Sequence, residues 1–168
     1  ILHLIDSGGL YGAEMMLLDL MDSQKHLGLG PILGSMRGDA SGTKEIEAEA
    51  SRRGHRVLSW TLKKGLDVAV ARKISEDAVR EGFSLLHTHG YKANIHAAAV
   101  IRRLARIPWV ATLHGWTATR KMSALNFYEI LDGVMVWRAD RVVSVSPRTS
   151  RKWRLVGLPA ARHEVIPN

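Results

Sequence analysis

Cysteine is absent from the whole chain, which removes disulfides and thiolate metal ligands and suits a reducing cytoplasm. No apolar run approaches the ~20 residues that a membrane-spanning helix needs. Aromatic residues make up only 6% of the sequence, and nowhere do they interleave with a run of basic side chains. A surface that stacks nucleic-acid bases is therefore not encoded, and no nucleic-acid partner is expected. There is no G-x-S-x-G elbow, which leaves acyl hydrolysis without support. Nor is there a Gly-Lys-Ser/Thr ending to mark a P-loop. A catalytic pair of carboxylates is also missing: Asp6 lies near the first loop, but nothing pairs with it by spacing.

What the chain does have is positive charge. Its net charge of +8 and pI near 10.2 point to an anionic partner, either a phosphorylated small molecule or an anionic membrane surface. The basic residues fall in short clusters along the whole length, among them Arg52-Arg53, Lys63-Lys64, Arg102-Arg103, Arg120-Lys121 and Arg151-Lys152. At 168 residues the chain reads as a single domain with one sizeable core. It opens inside an apolar strand and stops at "EVIPN", so a domain excised from a longer protein is expected.

Strand-like and helical runs alternate. Strands are expected at 1–5, 30–36, 55–60, 84–89, 108–114, 141–146 and 164–166. The first helix begins near Ala13, with Ala13, Met16, Leu17, Leu20 and Met21 as its apolar stripe and Glu14 off it. Further helices are read at 43–53, closed by Gly54, and at 66–81, closed by Gly82. Another follows strand four and buries Ala97, Val100, Ile101 and Leu104. The last two cover 123–138 and the stretch that starts at Ser146-Pro147, with Ser as N-cap and Pro in the first turn. Such alternation predicts an α/β fold, a Rossmann-like, doubly wound, mainly parallel sheet with helices on both faces. Ligands then bind beyond the carboxyl ends of the strands, near the switch in strand order.

Three loops carry the candidate chemistry. "DSGGLYGAE" follows strand one, and Gly8, Gly9 and Gly12 before a helix N-terminus form a turn suited to an anion, with Glu14 in the first helical turn. Its G-G-x-x-G spacing is not the dinucleotide G-x-G-x-x-G, and Asp39 lies in a loop rather than at a strand tip. "HTHGYKAN" follows strand four. His87 and His89 share one face of the strand, a spacing that can bind metal, but no third ligand is evident and no metal is expected. His89 at the tip is a ligand contact, His87 a core residue, while Tyr91, Lys92 and Asn94 offer hydrogen bonds and charge. "TLHGWT" follows strand five and sets His114 at a second His-Gly tip, with Gly115, Thr117, Thr119 and Arg120 beyond. His3, His26, His55, His96 and His163 are read as structural or surface residues.

Taken in order, "GGLYGAE", "LLHTHGYKAN", "PWVATLHGW", "ADRVVSVSPRTSRKW" and "HEVIPN" resemble the amino-terminal domain of a GT-B-fold glycosyltransferase, of the large retaining family numbered four. The resemblance runs from end to end and rests on the order and spacing of these five landmarks. It implies one half of a GT-B fold that holds the acceptor, with a carboxyl-terminal domain holding a nucleotide-sugar donor and the reaction in the cleft between them. It implies that the Gly8, Gly9 and Gly12 loop approaches the donor's diphosphate or the acceptor, and that His114 contacts the transferred sugar. No metal or other cofactor is implied. The family's paired glutamates, with seven residues between them, belong to the other domain, and no two glutamates here have that spacing; the chain alone is expected to be inactive.

The positive charge suits an anionic sugar or lipid acceptor, and a cytoplasmic protein with peripheral contact at the inner membrane face is among the expectations. In "SPRTSRKWRLVG", Trp153 and Val156 share one face among Arg151, Lys152 and Arg154, which fits peripheral contact with anionic lipid or, equally, a solvated helix. Two rivals stand beside the transferase reading. One is a non-catalytic domain that binds a phosphorylated ligand; the other, less favoured, is a nicotinamide-dependent oxidoreductase.

Overall fold

The computed structural model describes residues 1–38, 42–101, 107–114, 124–155 and 160–167. Seven parallel strands form one sheet: β1 (Leu2–Ile5), β2 (Ile32–Arg37), β3 (Arg56–Thr61), β4 (Leu86–His89), β5 (Trp109–Leu113), β6 (Arg141–Ser144) and β7 (His163–Val165). Their spatial order is β3-β2-β1-β4-β5-β6-β7. Between them run α1 (Gly12–His26), α2 (Glu45–Arg52), α3 (Val68–Arg80), α4 (Tyr91–His96), α5 (Ala124–Met135) and α6 (Pro147–Leu155). The fold is thus the doubly wound, Rossmann-like α/β sheet that the alternation predicted, and every strand pairing is parallel.

Both faces of the sheet are covered, which is why the central strands carry so few exposed residues. On one face Leu2, Leu4, Met36, Trp60, Leu86, Trp109, Ala111 and Val142 pack against Ile74 and Ala78 of α3, Ala93 of α4 and Val136 after α5. On the other, Ile5 and Leu33 pack against Leu17, Leu18 and Met21 of α1 and against Ile46 and Ala50 of α2. Parallel pairing brings His3 opposite His87 and Ile5 opposite His89, and His89 is in turn opposite Thr112. Since residues in register share a face, the histidines all lie on the α1 side.

The boundaries differ from the expected ones in instructive ways. Strand β2 starts two residues late, because Gly30 and Pro31 precede the ladder and Pro31 has no N–H to give. Helix α3 starts at Val68 because Asp67 caps it, its carboxylate accepting from the Val70 N–H at 3.1 Å. After α4 the chain continues as a π-helical turn over Ala97–Ile101, and Arg138 donates to the Ala98 carbonyl at 2.8 Å. Leu104 falls outside the described residues. The α1 stripe is turned by one residue from its expected phase: Glu14, Leu17, Leu18 and Met21 are the buried set. Glu14 therefore faces the sheet, and Met16 and Leu20 are only half-buried.

Beneath the α4 face runs a chain of buried hydrogen bonds. The Trp109 indole N–H donates to Thr88 Oγ1 at 2.7 Å, Thr88 Oγ1 donates to Asn94 Oδ1 at 2.5 Å, and Asn94 Nδ2 donates to Asp132 Oδ1 at 2.8 Å. Asn94→Ala removes two of these bonds inside a closed core and is expected to lower stability by about 2–4 kcal/mol in urea unfolding. A loss within about 0.5 kcal/mol, the range of ordinary surface changes, would show that the chain of bonds does not hold the core.

Candidate functional site

Strand order reverses between β1 and β4, so the loops leaving these strands diverge and open a crevice at their carboxyl ends. Into it come the Asp6–Gly9 turn after β1, Gly38 after β2, Lys63–Gly65 after β3 and Lys92 after Gly90, while His114 follows β5 at the same end of the sheet.

The glycine turn is built differently from an empty anion cradle. Gly9 N–H donates to Ser7 Oγ at 3.2 Å, Leu10 N–H to Glu45 Oε2 at 3.0 Å, and Tyr11 N–H to Glu14 Oε2 at 3.1 Å. Three successive amides thus already hold acceptors of the chain itself, two of them carboxylates. A Cβ on Gly9 would lie 2.7 Å from the Tyr11 ring, an exposed side chain that can swing aside. Gly8 and Gly12 have no atom within 4 Å of such a Cβ and no left-handed backbone, so the fold itself does not require them. Gly8 instead lines a cavity of about 470 Å³ with Ser7, Lys44 and Lys92.

Asp6 is the hub of this region. Lys44 Nζ lies 3.0 Å from its Oδ1 and Lys92 Nζ 2.5 Å from its Oδ2, tying the end of β1 to the starts of α2 and α4. Burial pulls the Lys92 ammonium toward neutrality, but the Asp6 hydrogen bond and charge outweigh it and hold its pKa above the usual value. Across the Asp6–Lys92 pair lies a second cavity of about 320 Å³, lined by Arg37, Lys63, Lys64, Lys92 and Tyr128. Four cations face it against the single carboxylate of Asp6. Arg37, half-buried, is gripped by both oxygens of Glu47, an arrangement that keeps the Glu47 carboxyl below its ordinary pKa despite burial.

Beside these cavities four imidazoles lie on the α1 face. Gln24 Oε1 meets His3 Nε2 at 2.7 Å, and His3 Nδ1 meets His89 Nε2 at 3.1 Å. His89 Nδ1 in turn meets His114 Nε2 at 3.4 Å. His87 stacks on His89, ring centroids 4.3 Å apart, and bonds Thr112 Oγ1 at 2.7 Å. Burial keeps all four neutral: it lowers the pKa of His3 to about 4 and of His87 to about 3, and pushes His89 and His114 down as well. Glu14 partly offsets that effect at His114, which places its carboxylate within electrical reach of the imidazole.

His3, His87 and His89 each bring a ring nitrogen within 4.8 Å of the others, and among the described residues this is the group that could hold a metal ion. The third ligand not evident in the sequence is His3. No carboxylate belongs to the set, however, so a buried divalent charge would be uncompensated, and the His3–His89 nitrogens already bond each other.

Of the residues singled out in the sequence, Gly8, Gly9 and Lys92 line the crevice, and His114 stands at the tip of β5 with Glu14 within electrical reach. Gly12 starts α1, and Tyr91 packs on Tyr128 with centroids 5.7 Å apart. His89 is 2% exposed and contacts His114 at the tip of β5. Asn94 does not join them: it is fully buried and bonded beneath the opposite face, because α4 turns it inward one helical turn after Gly90. Gly115, Thr117 and Arg120, with Asp39, lie outside the described residues. Asp6, Lys44, Lys63, Lys64 and Gln24 were not found as site residues. Asp6 and its lysines are separated by 38 and 86 positions, so only the switch in strand order could have pointed to them. The structural reading does hold for His55, which bonds Asp22 Oδ1 at 2.7 Å, and for His96, which accepts from the Asp67 N–H at 3.1 Å.

A family profile described as Glycosyltransferase Family 4 matches residues 11–168, nearly the whole chain. The chain belongs to this family. Among solved structures, HepE from Anabaena in complex with UDP superposes with a TM-score of 0.78 at 20% identity, over 99% of this chain and 43% of that one. A glycosyltransferase from Rickettsia africae follows at 0.70 and 16%, over 99% and 42%. UDP-GlcNAc 2-epimerase from Methanocaldococcus jannaschii reaches 0.68 at 8%, over 99% and 45%. No curated protein matches the sequence. The chain thus spans less than half the length of these solved structures and has the fold of one GT-B half. Because that fold is shared by transferases and an epimerase, family membership rests on the profile rather than on shape.

The buried histidines set a pH dependence. Unfolded, each titrates near 6.5; folded, His3 and His87 resist protonation down to about 4 and 3. Their stabilising contribution is complete above pH 6.5 and is lost as pH falls toward the folded values, since the unfolded chain then binds more protons. Urea midpoints are expected to be flat from pH 7 to 8 and to fall steadily from pH 6.5 to 4.5, by roughly 1.4 kcal/mol per pH unit for each fully depressed histidine. A midpoint unchanged at pH 5 would mean that the imidazoles are already charged in the fold.

Proposed function

We propose that this chain is the acceptor-side half of a retaining glycosyltransferase that moves a sugar from a nucleotide-sugar to an anionic sugar or lipid. The observation that carries the reading is the cavity of about 320 Å³ ringed by Arg37, Lys63, Lys64 and Lys92, set at the switch point of a family member's sheet. An acceptor phosphate or carboxylate sits against these cations, which places its neutral, hydroxyl-bearing end toward Gly8 and His114. Gly8, which the fold leaves open, lets the reactants approach the backbone. His114 contacts the transferred sugar, and Glu14 tunes it from beneath.

In the reaction the acceptor oxygen bonds to the anomeric carbon of the donor sugar as the bond to the diphosphate breaks, and the acceptor's proton leaves with the diphosphate oxygen. A partner domain of the same protein supplies the donor site. HepE, bound to UDP and glucose, is a neighbour whose ligands agree with this donor class. The oxidoreductase alternative fits less well, since β2 ends in Arg37 paired with Glu47 where a ribose-binding acid would stand. No helix among the described residues is long and apolar enough to cross a membrane, so a lipid acceptor would be met at a membrane surface.

Titration of the protein with a hexose phosphate and with the neutral hexose tests the acceptor class. The phosphate is expected to bind more tightly, to weaken with salt, and to lose about tenfold in affinity in Lys63→Ala/Lys64→Ala, one charge-assisted contact's worth. Equal binding of the neutral sugar, or no effect of the double substitution, would sink the anionic-acceptor assignment. Residues 1–168 alone are expected to transfer no sugar from any nucleotide donor; turnover by them at an enzymatic rate would overturn the division of labour between two domains.

A further inference from the structure

The row of histidines has a direction. An amide oxygen only accepts, so the 2.7 Å contact of Gln24 Oε1 requires the proton of His3 on Nε2. A neutral imidazole has one N–H, so His3 Nδ1 is a bare acceptor, and its 3.1 Å contact requires the proton of His89 on Nε2. His89 Nδ1 is then bare in turn, and the 3.4 Å contact to His114 Nε2 places the His114 proton there. One nitrogen is left at the end of the series. His114 Nδ1 is buried and finds no hydrogen-bond partner among the described residues. Turning the Gln24 amide, or replacing it with a donor, would reverse every step and leave His114 Nδ1 carrying a proton instead.

We propose that Gln24, His3 and His89 form a hydrogen-bond relay that fixes His114 in its Nε2–H tautomer and leaves its Nδ1 an unprotonated acceptor at the tip of β5. Such a nitrogen accepts from a hydroxyl and repels the oxygen of a phosphate or carboxylate. Because that nitrogen is buried, the relay sets the hydrogen-bonding character of the strand tip from within, and an anionic group is left to the lysine-lined cavity. Gln24 and His3 are positioning residues that never touch the ligand, and they select what the tip of β5 presents. The link to the site rests on the glycosyl-transfer reading; the tautomer assignment does not.

Helix α1 is built for this task. Its inward stripe of Leu17, Leu18 and Met21 is apolar, but it is bracketed by Glu14 one turn above and Gln24 one turn below. Glu14 acts on His114, and Gln24 binds His3. One polar end of the helix therefore binds the row of imidazoles at His3, and the other acts on its far end through charge alone.

The experiment is a long-range 1H–15N correlation spectrum of histidine-labelled protein at pH 7.5, which reports the proton position on each ring. His3, His89 and His114 are expected to show protonated Nε2 and bare Nδ1. Gln24 is half-buried on a helix, so its replacement can be tolerated. Gln24→Glu keeps an acceptor and is expected to preserve all three tautomers, whereas Gln24→Lys presents a donor to His3 Nε2 and is expected to move the His114 proton to Nδ1. Gln24→Met, lacking both, is expected to give a mixture at His114 and serves if the lysine variant does not fold. A His114 protonated on Nδ1 in the unaltered protein, or a His114 tautomer indifferent to the residue at position 24, overturns the relay. Either result can be read without any transferase assay, so failure of the relay and failure of the proposed function are separable.

Discussion

The pairing of β1 with β4 is the constraint on which the rest of this molecule depends. It reverses the strand order, opens the crevice, and sets His3 beside His87 in the same stroke. A shift of one residue in that register would send the histidines of one strand to the opposite face, into the apolar core of Trp109, Leu86 and Ala93. Register is therefore enforced twice, by apolar residues that must meet α3 and α4 and by imidazoles that must meet each other.

The two faces of the sheet divide the work. Beneath α3, α4 and α5 lies the larger apolar core, with its polar groups paired in the Trp109–Thr88–Asn94–Asp132 series. Beneath α1 and α2 the apolar core is smaller, and imidazoles continue it toward β5. Neutral imidazoles pack as flat, partly apolar plates while retaining one donor and one acceptor each. They carry polarity through the protein without carrying charge, whereas the crevice above them is crowded with lysines.

Much of this was legible in the residues. Alternating apolar runs and helix stripes announced a parallel doubly wound sheet, and the glycine turn after strand one pointed to the end of the sheet where the crevice opens. What escaped notice depended on phase or on distance. Ala13, Met16 and Leu20 form as good a stripe as the true one, and only tertiary packing turned Glu14 inward. His3 looked like any residue of an apolar strand until β4 was laid beside it. Asp6 had no partner by spacing because Lys44 and Lys92 come from two other crossovers. Asn94 followed a promising glycine, but one helical turn was enough to carry it into the core.

The glycine turn has a consequence of its own. Because Gly8 sits in ordinary backbone with empty space where a Cβ would point, the fold places no steric ban on a side chain there. The cavity it lines is thus kept vacant by composition alone, like a doorway without a door. Methyl by methyl, a substitution at this position would narrow the passage while the sheet below stays as it was. The loop after β1 is where the size of the admitted molecule can be dialled without touching the machinery that folds it.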